Sequence, residues 1–174
     1  MNRWNERREG AAARSAVRAV WVSGLLALAL LAGLAWYLWS LEPGVIVLQF
    51  AFTPKAFGEV IHSWSPADLV RYRRHLPVDL VLLAAYGLFG HLLVTRTSLF
   101  GSSRQPLRRV ASWFLPLAAL FDAMEDALHW WLTEVPRFGV PMAYAASAGF
   151  SVLKWAFIVG FGLLVAYALF RDEA

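Results

Sequence analysis

Apolar residues gather into four long runs, at about 20–40, 77–95, 110–132 and 144–170, and the stretches between them carry most of the Arg residues. At about 1.5 Å per residue, each run, wound as a helix, is long enough to cross or nearly cross a hydrocarbon layer of roughly 30 Å. The pattern predicts an all-α integral membrane protein, a four-helix bundle of up-down-up-down order in one domain. The first run, Val20 to Ser40, follows a basic flank and ends in Trp36, Tyr37 and Trp39. A cleaved signal peptide shares that order of basic and apolar parts, but the length of the run and its aromatic end favour a retained anchor.

The segment 41–76 differs in character. Glu42-Pro43-Gly44 breaks the first helix, and Val45 to Phe52 is a short apolar run that reads as strand-like or interfacial. Thr53-Pro54 and Ser65-Pro66 each combine an N-cap with proline at the first helical position. They predict a short amphipathic helix through Trp64 and a second over Ala67 to about His75, with Pro77 as a kink or a fresh start. Arg71, Arg73 and Arg74 are expected at headgroup level. Gly101-Ser102-Ser103 reads as a flexible turn before the third run, and Glu134 to Pro141 as a turn with two prolines.

The third run breaks its own apolar pattern. Asp122, Glu125, Asp126 and His129 follow the i, i+3, i+4, i+7 spacing, so on a helix they share one face, within an arc of roughly 100°. Ionisable groups in hydrocarbon cost several kcal/mol unless they face protein or water, which turns this edge toward the bundle interior. Trp113 and Trp130-Trp131 stand about 26 Å apart along such a helix, as interfacial anchors do.

Composition agrees with a membrane protein: 59% of residues are hydrophobic, 15% are aromatic, and mean hydropathy is +0.53. Cysteine is absent, which removes disulfides, thiolate metal sites and thiol redox chemistry. The net charge of +4 sits beside the apolar runs and forms no continuous basic strip, so it speaks for topology and against nucleic-acid binding. Arg3, Arg7, Arg8, Arg14, Arg18, Arg96, Arg104, Arg108, Arg109 and Arg171 fall on the side of the termini. Lys55, Arg71, Arg73, Arg74 and Arg137 fall on the other. The bias predicts a membrane protein with both termini cytoplasmic and 41–76 outside.

Depth then decides which groups can meet. Asp122 is expected near the midplane, with Glu125, Asp126 and His129 rising toward the outer face, and Lys154 and Asp79 in the same outer half. These residues predict a polar pocket open toward the outer leaflet, with His75 and His62 as caps. Lys154 is the expected counter-ion of Asp126 or Glu125, and at least one of the three carboxylates on the stripe should hold a proton. Acid–base chemistry would fall to Glu125, His129 and Asp122, and ligand binding to Asp79, Asp126, Lys154, Trp130 and Tyr86, with Trp131 and Trp155 nearby. The ligand implied is a lipophilic small molecule, sterol-like, terpenoid or quinone-like, alongside membrane lipids. A divalent metal on Asp126, His129 and Asp122 is the alternative occupant, since Asp126-x-x-His129 has the carboxylate–His spacing of metal-binding bundles. Haem is disfavoured, because His91 and His129 would differ in height by roughly 15 Å; His91 reads instead as a hydrogen-bonded histidine between helices. An accessory or assembly subunit of a membrane complex, and a proton-coupled transporter acting as a homodimer, remain open as other readings.

QFAFTP (Gln49 to Pro54), the Trp64…Tyr72-Arg73 segment, Asp79 followed by AYG (Ala85 to Gly87) and PLAALFDAMED (Pro116 to Asp126) resemble a group of uncharacterised bacterial four-span membrane proteins with an acidic D-x-x-E-N motif. Asp126 stands where that motif has Asn. The resemblance implies a bacterial inner-membrane protein of the same topology, and weight for Asp79, Asp122 and Glu125. In outline alone the chain is also similar to the emopamil-binding and sigma-2 receptor group, which implies a lipophilic ligand.

Overall fold

A computed structural model of the chain describes residues 3–100, 105–135 and 137–171, with side chains from residue 14 onward. The predicted turn at Gly101-Ser102-Ser103, Arg104, the side chains of Arg3, Arg7 and Arg8, and Pro136 lie outside the described residues. Every element is a helix: α1 (Arg3–Leu38), α2 (Val45–Gln49), α3 (Pro54–Ser63), α4 (Pro66–Arg96), α5 (Gln105–Leu132) and α6 (Pro141–Arg171). Among the described residues, three helical stretches, Arg14–Leu38, Pro66–Arg96 and Pro141–Arg171, are long and apolar enough to cross a membrane. The acidic stripe of α5 is what lowers its hydropathy.

The cap signals act where the sequence places them. Thr53 Oγ1 accepts from Ala56 N at 3.1 Å to start α3. Ser65 Oγ accepts from Asp68 N at 3.2 Å and donates to the Asp68 carboxylate at 2.6 Å to start α4. Both helices have proline in the first turn, where no N–H is needed. Pro77, by contrast, interrupts nothing: α4 runs through it as one helix, because Tyr72, His75 and Leu76 before it and Leu82, Leu83 and Ala85 after it are all buried. Packing on both sides outweighs the lost backbone bond. The run at Val45 is a single helical turn, not a strand, with Leu48 buried beneath it.

The long helices pack in chain order, α1 on α4, α4 on α5 and α5 on α6, with no comparable packing between α1 and α6. Their contacts make each neighbouring pair antiparallel. Tyr72 meets His129 at one end of the α4–α5 pair, and Arg108 reaches the Val94 carbonyl at the other. Two apolar clusters occupy the ends of the array. Leu41, Leu48, Phe57, Val60, Trp64, Tyr72, Leu76, Leu132 and Tyr144 form one, where α2 and α3 cover the helix ends. Val94, Phe100, Ala111, Leu115, Phe161 and Ala168 form the other. The acidic stripe of α5 lies between them.

Close helix approach requires glycine at Gly90. A Cβ there would stand 2.6 Å from Leu115 Cβ, an atom that cannot swing aside. Gly90→Ala is therefore expected to destabilise, since overpacking costs about 1–3 kcal/mol against about 1 kcal/mol gained in helix propensity. Gly33→Ala, where a Cβ meets nothing within 4 Å, should show the gain alone. Thermal unfolding in detergent, followed by helical circular dichroism, compares the two.

Candidate functional site: an acidic cluster at the end of an apolar slot

All four residues of the α5 stripe are buried, Glu125 and His129 almost completely, while Met124 and Leu120 on other faces are exposed. The helix has turned its ionisable edge inward, where the charges meet partners from neighbouring helices. From α6, Lys154 reaches across to this edge. Its Nζ lies 2.6 Å from Asp122 Oδ1 and 2.8 Å from Glu125 Oε2; the first is an aligned hydrogen bond, the second an ionic contact with poorer angles. Glu125 is thus a partner of Lys154 as expected, but the second partner is Asp122, not Asp126.

The Tyr86 hydroxyl donates to Asp122 Oδ2 at 3.3 Å. Asp79 comes in from α4, and carboxylate oxygens of Asp79, Asp122 and Asp126 lie within 4.8 Å of one another. Four carboxylates therefore share one neighbourhood with one ammonium. In low dielectric such an excess of negative charge persists only with protons, a cation or hydrogen-bond donors from a ligand to offset it.

These groups face a cavity of about 910 Å³. Its walls are mostly apolar, with Leu31, Leu34 and Leu38 of α1, Leu82 and Phe89 of α4, Leu115 of α5 and Ile158 of α6. Asp79, Asp122, Glu125, Asp126, Lys154, Tyr72, Tyr86 and His75 supply its polar part. The cavity occupies the seam that α1 and α6 leave open. Leu28, Leu31 and Trp39, which line it, are also exposed on the outside of the molecule. Leu41, Glu42, Val45 and Gln49 wall the end beside α2, where Trp155 Nε1 donates to Gln49 Oε1 at 3.2 Å. Exposed lining residues thus run along the flank of the array on α1 and continue to the end beside α2, where Glu42 and Ile46 are exposed as well.

His129 sits one layer back. Its Nδ1 is 2.5 Å from the Tyr72 hydroxyl and 3.9 Å from Glu125 Oε1, and Phe57 packs on its ring. It does not line the cavity; Tyr72 stands between. Any proton it exchanges with a ligand must pass through that phenol or through Glu125. Tyr72→Phe is expected to leave both ring nitrogens of a buried imidazole unpartnered, since Nε2 already has none, and to cost about 1–3 kcal/mol. Thermal unfolding beside the wild type measures it.

Other expectations are corrected. Trp130 is exposed and takes no part in the cavity wall; the Arg73 guanidinium lies over its ring at 4.7 Å. Trp131 likewise carries Arg137 at 4.3 Å. His62 is on the exposed face of α3, whereas His75 lines the cavity, its Nδ1–H donating to the Tyr72 carbonyl. His91, by contrast, is where it was expected: it bonds the Ser112 carbonyl at 3.2 Å against Trp113 and belongs to helix packing. For a metal, the residues brought together are Asp79, Asp122 and Asp126, not a set that includes His129.

The residues that sequence reasoning missed are on the other helices: Tyr72 on α4, and Ser147 and Ser151 on α6. Tyr72 shares a face with the expected His75 and Asp79 at i, i+3 and i+7, and Ser147 and Ser151 share one with the expected Lys154 at i, i+4 and i+7. All six except Asp79 are fully buried. Each polar edge could have been found by the same rule that found α5. No family model, no curated protein and no solved structure matches this chain.

Proposed function

We propose that this protein is an integral membrane four-helix bundle that holds a lipophilic small molecule in the slot between α1 and α6, with the polar part of that molecule at the acidic cluster. α5 then serves as the fourth span, its charged edge covered by its neighbours. In this reading the chain lies in the bacterial inner membrane with both termini cytoplasmic and α2–α3 outside, as the basic residues at the two ends predict. The arrangement suits proton transfer: Asp79, Asp126 and Glu125 stand ready as acid or base, with Tyr72 backed by His129 on the other side.

One observation carries the proposal. An apolar-walled cavity of about 910 Å³ ends on convergent carboxylates, one ammonium and two phenols, the build of a small-molecule site. Its exposed side lies where acyl chains would be, so a lipophile reaches it without crossing water. A transport path would need polar groups along the whole bundle, whereas the far end is filled by Val94, Phe100, Leu115 and Phe161. An accessory subunit would need no such space beside its charges.

Native mass spectrometry of the chain released from its membranes tests this. The expected spectrum shows one lipophilic molecule retained per chain. A chain that emerges bare under conditions that keep its helices folded would overturn the reading.

A further inference from the structure

Lys154 answers Asp122 and Glu125 but leaves Asp79 and Asp126 without a cation. Oxygens of Asp79, Asp122 and Asp126 lie within 4.8 Å of one another, contributed by two helices. Oxygens bound to one ion at about 2.1–2.4 Å stand at most about twice that distance apart, roughly 4.2–4.8 Å. The spacing of the trio therefore fits a shared ion. A second observation points the same way. Asp126 is 7% exposed and faces the cavity, yet its Oδ2 meets no N–H or hydroxyl donor, so that only a proton shared with the neighbouring Asp79 carboxyl or a cation can offset it. A buried acceptor left bare is costly, and native structures rarely keep one without an ion or a donor to meet it.

We propose that Asp79, Asp122 and Asp126 form a site for a hard divalent cation of the Mg²⁺, Mn²⁺ or Ca²⁺ type. Three carboxylates with neither thiolate nor imidazole select such ions over softer ones. Tyr86 and Lys154 hold the Asp122 carboxylate from behind, as outer partners of metal ligands do. The cavity beside the trio leaves room for water, or the polar end of a bound molecule, to complete the coordination. Glu125, tied to Lys154, is not a ligand. The site rests on the trio and the bare oxygen, not on the apolar slot, so it stands or falls separately from the lipophile.

The test is titration of the purified chain, in nanodiscs of zwitterionic lipid, with Mn²⁺ alone, read by loss of the free-ion electron paramagnetic resonance signal and corrected for empty nanodiscs. The wild type is expected to take up one ion per chain. Asp126→Asn and Asp79→Asn, close in shape to the originals, should weaken it by roughly 100-fold or more, beyond the 10- to 100-fold that loss of an outer partner costs. Glu125→Gln should stay within that lower range. Uptake by the wild type no greater than that of empty nanodiscs overturns the proposal, as does uptake unchanged in Asp126→Asn. Native mass spectrometry of the same samples reports the lipophile independently, so failure of one reading is not mistaken for failure of the other.

Discussion

Replacing Lys154 with Met is expected to lower the unfolding free energy by about 3–5 kcal/mol, the largest single effect in this molecule. Lys154 is 4% exposed, and its ammonium lies 2.6 and 2.8 Å from two buried carboxylates. Methionine fills most of the same space, so packing changes little. What changes is that Asp122 and Glu125 lose the cation between them while staying buried. Breaking one side of a buried pair costs far more than replacing the whole of it with neutral groups. Adding Asp122→Asn and Glu125→Gln to Lys154→Met should therefore recover much of the loss. Thermal unfolding in detergent measures all three states. A single variant that melts with the wild type would mean that water reaches these carboxylates freely.

The second large effect is on binding. Ala35→Trp should reduce the retained lipophile by more than tenfold while leaving stability within about 0.5 kcal/mol, the range of ordinary surface changes. Ala35 lines the slot but is exposed, so the indole enters the opening and not the core. Leu26→Trp provides the control, since Leu26 is exposed on the same helix away from the slot. Equal retention by all three proteins would place the molecule elsewhere.

These predictions depend on features that the sequence exposes unequally. The burial of Asp122, Glu125, Asp126 and His129 was legible, because their spacing fixes a common face whatever surrounds the helix. The caps at Thr53 and Ser65 were legible for a similar reason, being local hydrogen-bond chemistry. The partner of Lys154 was not. Asp122 and Asp126 are one turn apart on the same edge, and the choice between them depends on how far α6 slides along α5. Trp130 shows the same limit in rotation: it lies about 40° beyond Asp126 around the helix, enough to turn it outward beneath Arg73. Nor could periodicity reveal the open seam, since a helix face that meets lipid and one that meets another helix are equally apolar. Val45 to Gln49 was ambiguous because so short an apolar run suits a strand or a helical turn alike. The slot, the central feature of the site, is made of those undetermined quantities.

If the chain spans a bilayer as proposed, lipophiles reach the acidic edge of α5 only through the gap between α1 and α6. A lipophilic carbodiimide, which partitions into membranes and couples to carboxyl groups, measures this directly when its adducts are mapped by mass spectrometry. Modification is expected at Asp79 or Asp126 in the wild type, and should be lost when Ala35→Trp closes the gap. Modification of Asp122 and Glu125 that persists in Ala35→Trp would show the edge facing acyl chains and would contradict it.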